Sequence, residues 1–150
     1  MADIKERSKS TFNQQADTYD EDIHGQHART LYPVLLSKLA HIPFQRALDL
    51  GCGTGEMMKI LLQSNDQREL YGIDLSEKML SVAEGKLSGK VRLVLGDSEH
   101  LPFADNFFDV VYCNDSFHHY PAPENVIREV QRVLKPGGTF LIGDCWQPLI

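Results

Sequence analysis

The chain has 150 residues, 42% of them hydrophobic and 24% charged, which suits one packed domain and excludes a disordered tail. Lys and Arg total 15 against 21 for Asp and Glu, a net charge of -6 with no basic block. Binding driven mainly by phosphate-backbone attraction is therefore disfavoured, and a small or uncharged ligand fits better than nucleic acid. The polar opening MADIKERSKS argues against an apolar signal core, and no apolar run approaches the length of a membrane span. Three cysteines (Cys52, Cys113, Cys145) with no C-x-x-C pair indicate neither a disulfide framework nor a zinc ribbon, so the expected setting is the reducing cytoplasm.

Residues 1–24 read as a polar arm with an acidic knot at Asp17, Asp20, Glu21 and Asp22, ahead of a core over 25–150. Phe12, Ala16 and Tyr19 share one helical face, so the arm is expected to dock. From about 26 to 40, Leu31, Val34, Leu35 and Leu39 repeat with a helical period, and Pro33 sits in the first turn of that helix or kinks it. Ala47-Leu48-Asp49-Leu50 is a short strand running into glycines, followed by a helix through Met57, Ile60 and Leu61. Leu70 to Ile73 is a second strand, and Ser76 is the N-cap of a helix carrying Met79, Leu80, Ala83 and Leu87. Val91 to Leu95 and the nearly all-apolar Phe108 to Cys113 are the third and fourth strands. Val126, Ile127, Val130, Val133 and Leu134 make an amphipathic helix stopped by Pro136-Gly137-Gly138, and Thr139 to Gly143 is a fifth strand. This alternation predicts a doubly wound α/β fold, with ligands beyond the carboxyl ends of its strands.

The loop Gly51-Cys52-Gly53-Thr54-Gly55 lies where the first strand meets the first core helix. Alternate glycines permit a tight turn with positive φ and close approach of backbone to ligand. The spacing is not that of a pyrophosphate loop, since Glu56 takes the place of the third glycine and Asp49 flanks the other side. Those acids suit a ligand with a positive centre. Asp74, closing the second strand, can accept from both hydroxyls of a ribose, although an Asp capping the next helix is the alternative. Asp97 follows the third strand and can accept from an adenine amine while the Ser98 N–H donates to the ring. Together, Asp49, Asp74 and Asp97 describe a nucleoside pocket with no need for phosphate.

With these residues in hand, the chain resembles a class I S-adenosylmethionine-dependent methyltransferase, within the broad group that includes the ubiquinone- and menaquinone-biosynthesis methyltransferases. The matching stretches are 47–55, Gly72-Ile73-Asp74-Leu75-Ser76 with Met79-Leu80, Gly96-Asp97, Leu101-Pro102-Phe103, 107–111 and 132–138, preceded by Phe12, Ala16, Tyr19 and Asp20. The resemblance implies a Rossmann-like, mostly parallel sheet and S-adenosyl-L-methionine as cofactor. It places Gly51, Cys52 and Gly53 along the methionine part, with Asp49 near the ammonium. Asp74 would hold the ribose, Leu75 and Met79 cover the adenine, and Asp97 and Ser98 read its edge. Asn114 would face the methionine moiety and Tyr19 would close the pocket. Domains of this kind usually continue past the fifth strand with a helix and two more strands. This chain stops at Ile150, so the expectation is a sheet lacking those last strands: either the chain is a fragment, or a partner such as a second copy in a homodimer covers the exposed edge.

Methyl transfer needs alignment and exclusion of water, and a base only where the nucleophile must lose a proton. His118-His119 lies at the expected mouth, where His119 is the first candidate for a base or substrate contact and His118 the second. A structural histidine pair is the competing reading. No metal site is expected, because adjacent histidines on one loop rarely aim at one ion. Cys52 needs only to be small, Cys113 belongs to the core, Met57 and Met58 pack the first core helix, and Trp146 covers a sheet edge. The functional expectation is methyl transfer to an unidentified small-molecule acceptor, with Tyr19 and the arm acting as a lid. The alternatives are a non-catalytic cofactor-binding module and a nicotinamide-dependent oxidoreductase, the latter disfavoured by the loop spacing and by Asp97. A nucleic-acid methyltransferase is weaker still, since Asn114-Asp115-Ser116-Phe117 lacks an aromatic-proline motif.

Overall fold

The computed structural model describes residues 2–22 and 25–144. In chain order its elements are α1 (Ala2–Gln15), α2 (Gln26–Leu39), β1 (Arg46–Leu50), α3 (Glu56–Ser64), β2 (Glu69–Asp74), α4 (Glu77–Leu87), β3 (Arg92–Leu95), β4 (Phe108–Asn114), α5 (Pro123–Val133) and β5 (Leu134–Gly143). The strands form one five-stranded sheet in the order β3-β2-β1-β4-β5, and every pairing is parallel. The doubly wound, Rossmann-like α/β expectation holds. The Trp146 reading lies outside the described residues.

The period of two along the strands divides the core between the two faces of the sheet. Ala47, Leu70, Val110 and Tyr112 point to the face covered by Leu35 and Leu39 of α2, Met57, Met58 and Leu61 of α3, and Ala83 and Leu87 of α4. Leu48, Leu50, Tyr71, Ile73, Phe108, Val111 and Cys113 point to the other, covered by Val126, Val130 and Val133 of α5. Helices on both faces explain why β1 and β4 read as continuous apolar runs. Asp49 interrupts that run on the same face as Ala47, and it is 3% exposed.

Three local expectations change. Pro33 lies in the interior of α2 rather than in its first turn, at the cost of one backbone hydrogen bond. Helix α1 ends at Gln15, so Ala16 and Tyr19 dock from a turn rather than from a helical face. β5 starts at Leu134 instead of Thr139: Leu134 pairs with Phe108, Thr139 pairs with Val110, and Pro136-Gly137-Gly138 bulges out between them. Pro136 has no N–H for the ladder and Gly137 has φ +81°, so the segment stops the helix without ending the sheet. The Ser76 expectation holds, its Oγ accepting from Met79 N at 3.1 Å.

The arm is bolted down by polar contacts. On α1, Lys9 pairs with Glu77 at 2.9 Å and Asn13 Oδ1 accepts from Ser76 Oγ at 2.6 Å. Lys86, near the end of α4, reaches Asp20 at 2.6 Å and Glu56 at 2.9 Å, while Thr54 Oγ1 donates to Asp20 at 2.5 Å. Arg29 of α2 donates to the carbonyls of Tyr19 and Asp22 at 3.0 and 2.5 Å. Asp20, part of the acidic knot on an arm expected to dock, is the arm's anchor.

Two outcomes follow. Phe108 is fully buried with its ring edge-on to Tyr71, Phe103 and Phe107, so Phe108→Ala should lower stability by about 3–5 kcal/mol in urea unfolding. Lys86→Met should leave the unfolding midpoint of the core nearly unchanged while hydrogen exchange across 16–22 rises at least about tenfold.

Candidate functional site

The chain runs outward from β1 through β2 to β3, then returns across the sheet to β4, so strand order reverses between β1 and β4. Loops leaving the carboxyl ends diverge at such a reversal and open a crevice. Here the crevice is a cleft of about 990 Å³, counted with its open mouth, roofed by Lys5, Ser8 and Phe12 of α1 and by Tyr19.

The glycine loop forms one wall. Gly51 has φ +70°, and a Cβ there would lie 2.6 Å from Ser116 Oγ, so no other residue fits the turn. Ser116 closes this corner by donating to Leu50 O at 3.0 Å. Gly53 has φ +54° with nothing within 4 Å of where a Cβ would stand, leaving its backbone bare on this side. Asp74 ties the loop to the next helix: Oδ2 accepts from Gly53 N at 2.9 Å and Oδ1 from Ser76 N at 2.8 Å. Asp74 therefore anchors both the glycine loop and the start of α4, the helix role that the sequence offered as the alternative to ribose recognition. Burial raises the Asp74 pKa, opposed by the N–H groups of Ser76, Gly53 and Leu75.

Asp49 lines the floor. Burial pushes its carboxyl up to about 7, the Tyr112 hydroxyl works against that shift, and the charge of Asp74 adds to it. Cys52 is buried and its thiol lies well above the ordinary range, which suits the reading of a small loop residue rather than a nucleophile. Cys113 is also buried, its thiol pushed up to about 12 by burial, as a core residue should be.

At the other end of the cleft, Leu75 and Met79 line the side wall and Ser98 the back, its Oγ donating to Tyr120 Oη at 3.3 Å. Asp97 is already engaged: Oδ1 accepts from Glu99 N at 2.9 Å and Oδ2 from Lys5 Nζ at 2.6 Å. Lys5 also pairs with Glu99 at 2.5 Å. Although burial opposes it, these partners hold the Asp97 carboxyl below its ordinary value.

Toward the mouth, Asn114 Nδ2 donates to Ala28 O at 3.2 Å, while its buried Oδ1 has no hydrogen-bond partner. The Tyr19 hydroxyl is pushed up to about 12 by burial and then by the charges of Asp115, Asp74 and Asp20. A 3-10 turn over Phe117–His119 carries the histidine pair. His119 lines the cleft edge-on to Phe12, ring centroids 5.2 Å apart, with burial depressing its pKa. His118 faces a neighbouring groove, its Nδ1 2.6 Å from Asp144 Oδ1.

The cleft therefore brings together Tyr19, Asp49, Gly51, Cys52, Gly53, Asp74, Leu75, Met79, Asp97, Ser98, Asn114 and His119, and leaves His118 just outside. Sequence reasoning missed Lys5, Ser116, Tyr120 and Asp144, each brought in by a long-range contact with no local signal. Asp115, His118 and Asp144 place one donor atom each within 4.8 Å of one another.

The fold and cleft define a doubly wound nucleoside-site architecture. A family described as "Methyltransferase domain" matches residues 48–142, and the chain belongs to that family. It is 38% identical over 111 residues to a demethylmenaquinone methyltransferase of Geobacillus kaustophilus, covering 71% of this chain and 47% of that protein. The chain thus spans about half the length of the curated relatives it matches. A methyltransferase complex with the Trm112 activator from Haloferax volcanii superposes with TM-score 0.74 at 28% identity, over 86% of this chain and 57% of that one. A phosphoethanolamine N-methyltransferase of Haemonchus contortus, solved with phosphomonomethylethanolamine and S-adenosylhomocysteine, gives TM-score 0.67 at 28% identity over 74% of this chain and 27% of that one. Neither the nicotinamide reading nor the non-catalytic module finds support among these relatives.

Because Asp49 holds its proton to a higher pH folded than unfolded, its contribution to stability falls as pH rises from about 4 to about 7. Asp49→Asn removes that loss. Thermal melts at pH 5 and pH 8 should show the variant gaining on the wild type at the higher pH.

Proposed function

We propose that this chain carries out S-adenosylmethionine-dependent methyl transfer to a small-molecule acceptor. The observation that carries the reading is the convergence of Asp49, Asp74 and Asp97 with a bare glycine loop in one cleft at the reversal of strand order. The donor set fits the group: Asn114 Oδ1 is a buried acceptor lacking a donor and Asp49 is a buried carboxylate, together suited to an ammonium. Bound there, the cofactor supplies a methyl group on a positively charged sulfur, open to in-line displacement.

The chain's own part is mainly positional. Asp74 holds the ribose hydroxyls, Leu75 and Met79 sandwich the base, Asp97 and Ser98 read its edge, and the Gly51-Cys52-Gly53 backbone lines the amino-acid part. Tyr19 and the arm close over the cleft as a lid and exclude water. His119 and His118 stand at the mouth, where the acceptor enters and where a proton, if there is one to lose, is taken. The same proposal places the protein in the cytoplasm, consistent with its free cysteines, and gives it no nucleic-acid partner. Among the described residues no helix is long and apolar enough to cross a membrane. A second copy pairs along an edge strand, β3 or β5, where Leu95 and Ile142 are about half exposed.

Calorimetric titration with S-adenosylhomocysteine tests the reading. Micromolar binding is expected, and absence of binding by a folded chain overturns it. Asp74→Asn should weaken that binding about 10- to 100-fold, the worth of one hydrogen bond to a charged group. Unchanged affinity would remove Asp74 from the site. Asp74→Ala is the poorer test, because it also releases Gly53 and the start of α4.

A further inference from the structure

At one end of the cleft the arm supplies a cation. Lys5 lies near the start of α1, and its Nζ donates to Asp97 Oδ2 at 2.6 Å. The other Asp97 oxygen accepts from Glu99 N at 2.9 Å. Nζ also lies 2.5 Å from Glu99 Oε2. That oxygen is buried and, among the described residues, receives no hydrogen bond, so its link to Lys5 is one of proximity alone. Glu99 is itself fixed, its Oε1 accepting from Asn125 Nδ2 at 3.0 Å. One ammonium thus stands between two carboxylates. It is hydrogen-bonded to Asp97, whose side chain is 29% exposed, and merely adjacent to Glu99, whose side chain is 7% exposed.

The arrangement bears directly on the residue assigned to the edge of the base. A carboxylate oxygen has room for a second hydrogen bond, but here an incoming amine hydrogen would sit beside a full positive charge. The extra strength of a bond to a charged acceptor is then largely cancelled. Lysine carries rotatable donors on a flexible stem, so Nζ can turn from one carboxylate to the other without any shift of α1. The turn also gives the buried Glu99 oxygen the donor it lacks.

We propose that Lys5 is a specificity-determining residue of the nucleoside site, holding the Asp97 oxygen that reads a 6-aminopurine and passing to Glu99 when that base enters. The inference rests on the methyltransferase reading above and adds what sets the weight given to the amino group. With Lys5 on Asp97 the amine meets a neutralised acceptor, and with Lys5 on Glu99 it meets a charged one. Lys5 therefore lowers the discrimination between purines with and without the amine, and Glu99 limits how far it does so.

The test is calorimetric titration of the 150-residue chain with two probes. One is S-adenosylhomocysteine, and the other is the same molecule with hydrogen in place of the 6-amino group. The ratio of their dissociation constants measures the worth of the amine, and any change in the packing of the arm that affects both ligands alike cancels in it. Lys5→Met should raise the ratio about five- to tenfold, the difference between a charged and a neutralised acceptor. Glu99→Gln removes the second carboxylate and leaves Lys5 on Asp97, so there the ratio should fall by at least about twofold. An unchanged ratio in Lys5→Met overturns the proposal, and so does a change of the same sign in both variants. Absence of S-adenosylhomocysteine binding by the folded wild-type chain overturns the methyltransferase reading itself, whereas wild-type binding with no effect of Lys5→Met on the ratio removes only the role of Lys5.

Discussion

Strand order reverses beside β1, and the cleft owes its existence to that reversal. β1 is the middle strand of five parallel ones, paired with β2 on one side and β4 on the other, and the connections on its two sides leave in opposite directions. Parallel strands must be joined by crossovers, so every loop at the carboxyl edge leads into a helix, and the loops after β1 and β4 are pushed apart. The glycine loop, Asp74, the Asp97 loop and Asn114 belong to four different loops or strand ends, yet they face one space for this reason. Burying β1 on both faces also places Asp49 where its carboxyl resists ionisation.

Charge organises the rest. An acidic cleft in an acidic protein is held together by a small number of cations placed at its rim. Lys5 spans Asp97 and Glu99, and Lys86 spans Asp20 and Glu56. Both tie an arm contact to a core loop, so the ion pairs that relieve carboxylate repulsion also set the position of the roof. Part-buried pairs of this kind are screened less by salt than exposed ones. Asp74 shows the same economy, holding the loop with one carboxylate oxygen and the next helix with the other.

How much was legible depended on whether the signal was local. The five strands and the core helices were readable from apolar periodicity, and the Ser76 cap from its place before Met79 and Leu80. The Gly51 turn was readable because the backbone needs positive φ there. The start of β5 was misjudged because Pro136-Gly137-Gly138 is a correct stop for α5, while neighbouring β4 recruits Leu134 ahead of it. The arm's helix was drawn too far for a similar reason: Ala16 and Tyr19 are placed by Arg29 and by the Asp20–Lys86 pair, not by helical spacing.

The sequence by itself determined the alternation of strands and helices, the parallel sheet, and the choice of Asp49, Asp74 and Asp97 as the residues to follow. Each of these rests on periodicity or on conformational limits acting within a few residues. Only the tertiary structure decided that Asp97 is partnered by Lys5, that Asn114 is left with a buried acceptor, and that His118 rather than His119 is gripped by a carboxylate. Those facts depend on side chains far apart in the chain meeting at the edge of a sheet. The free energy that joins them comes from burial and charge pairing across the fold, which leaves no mark on the local order of residues.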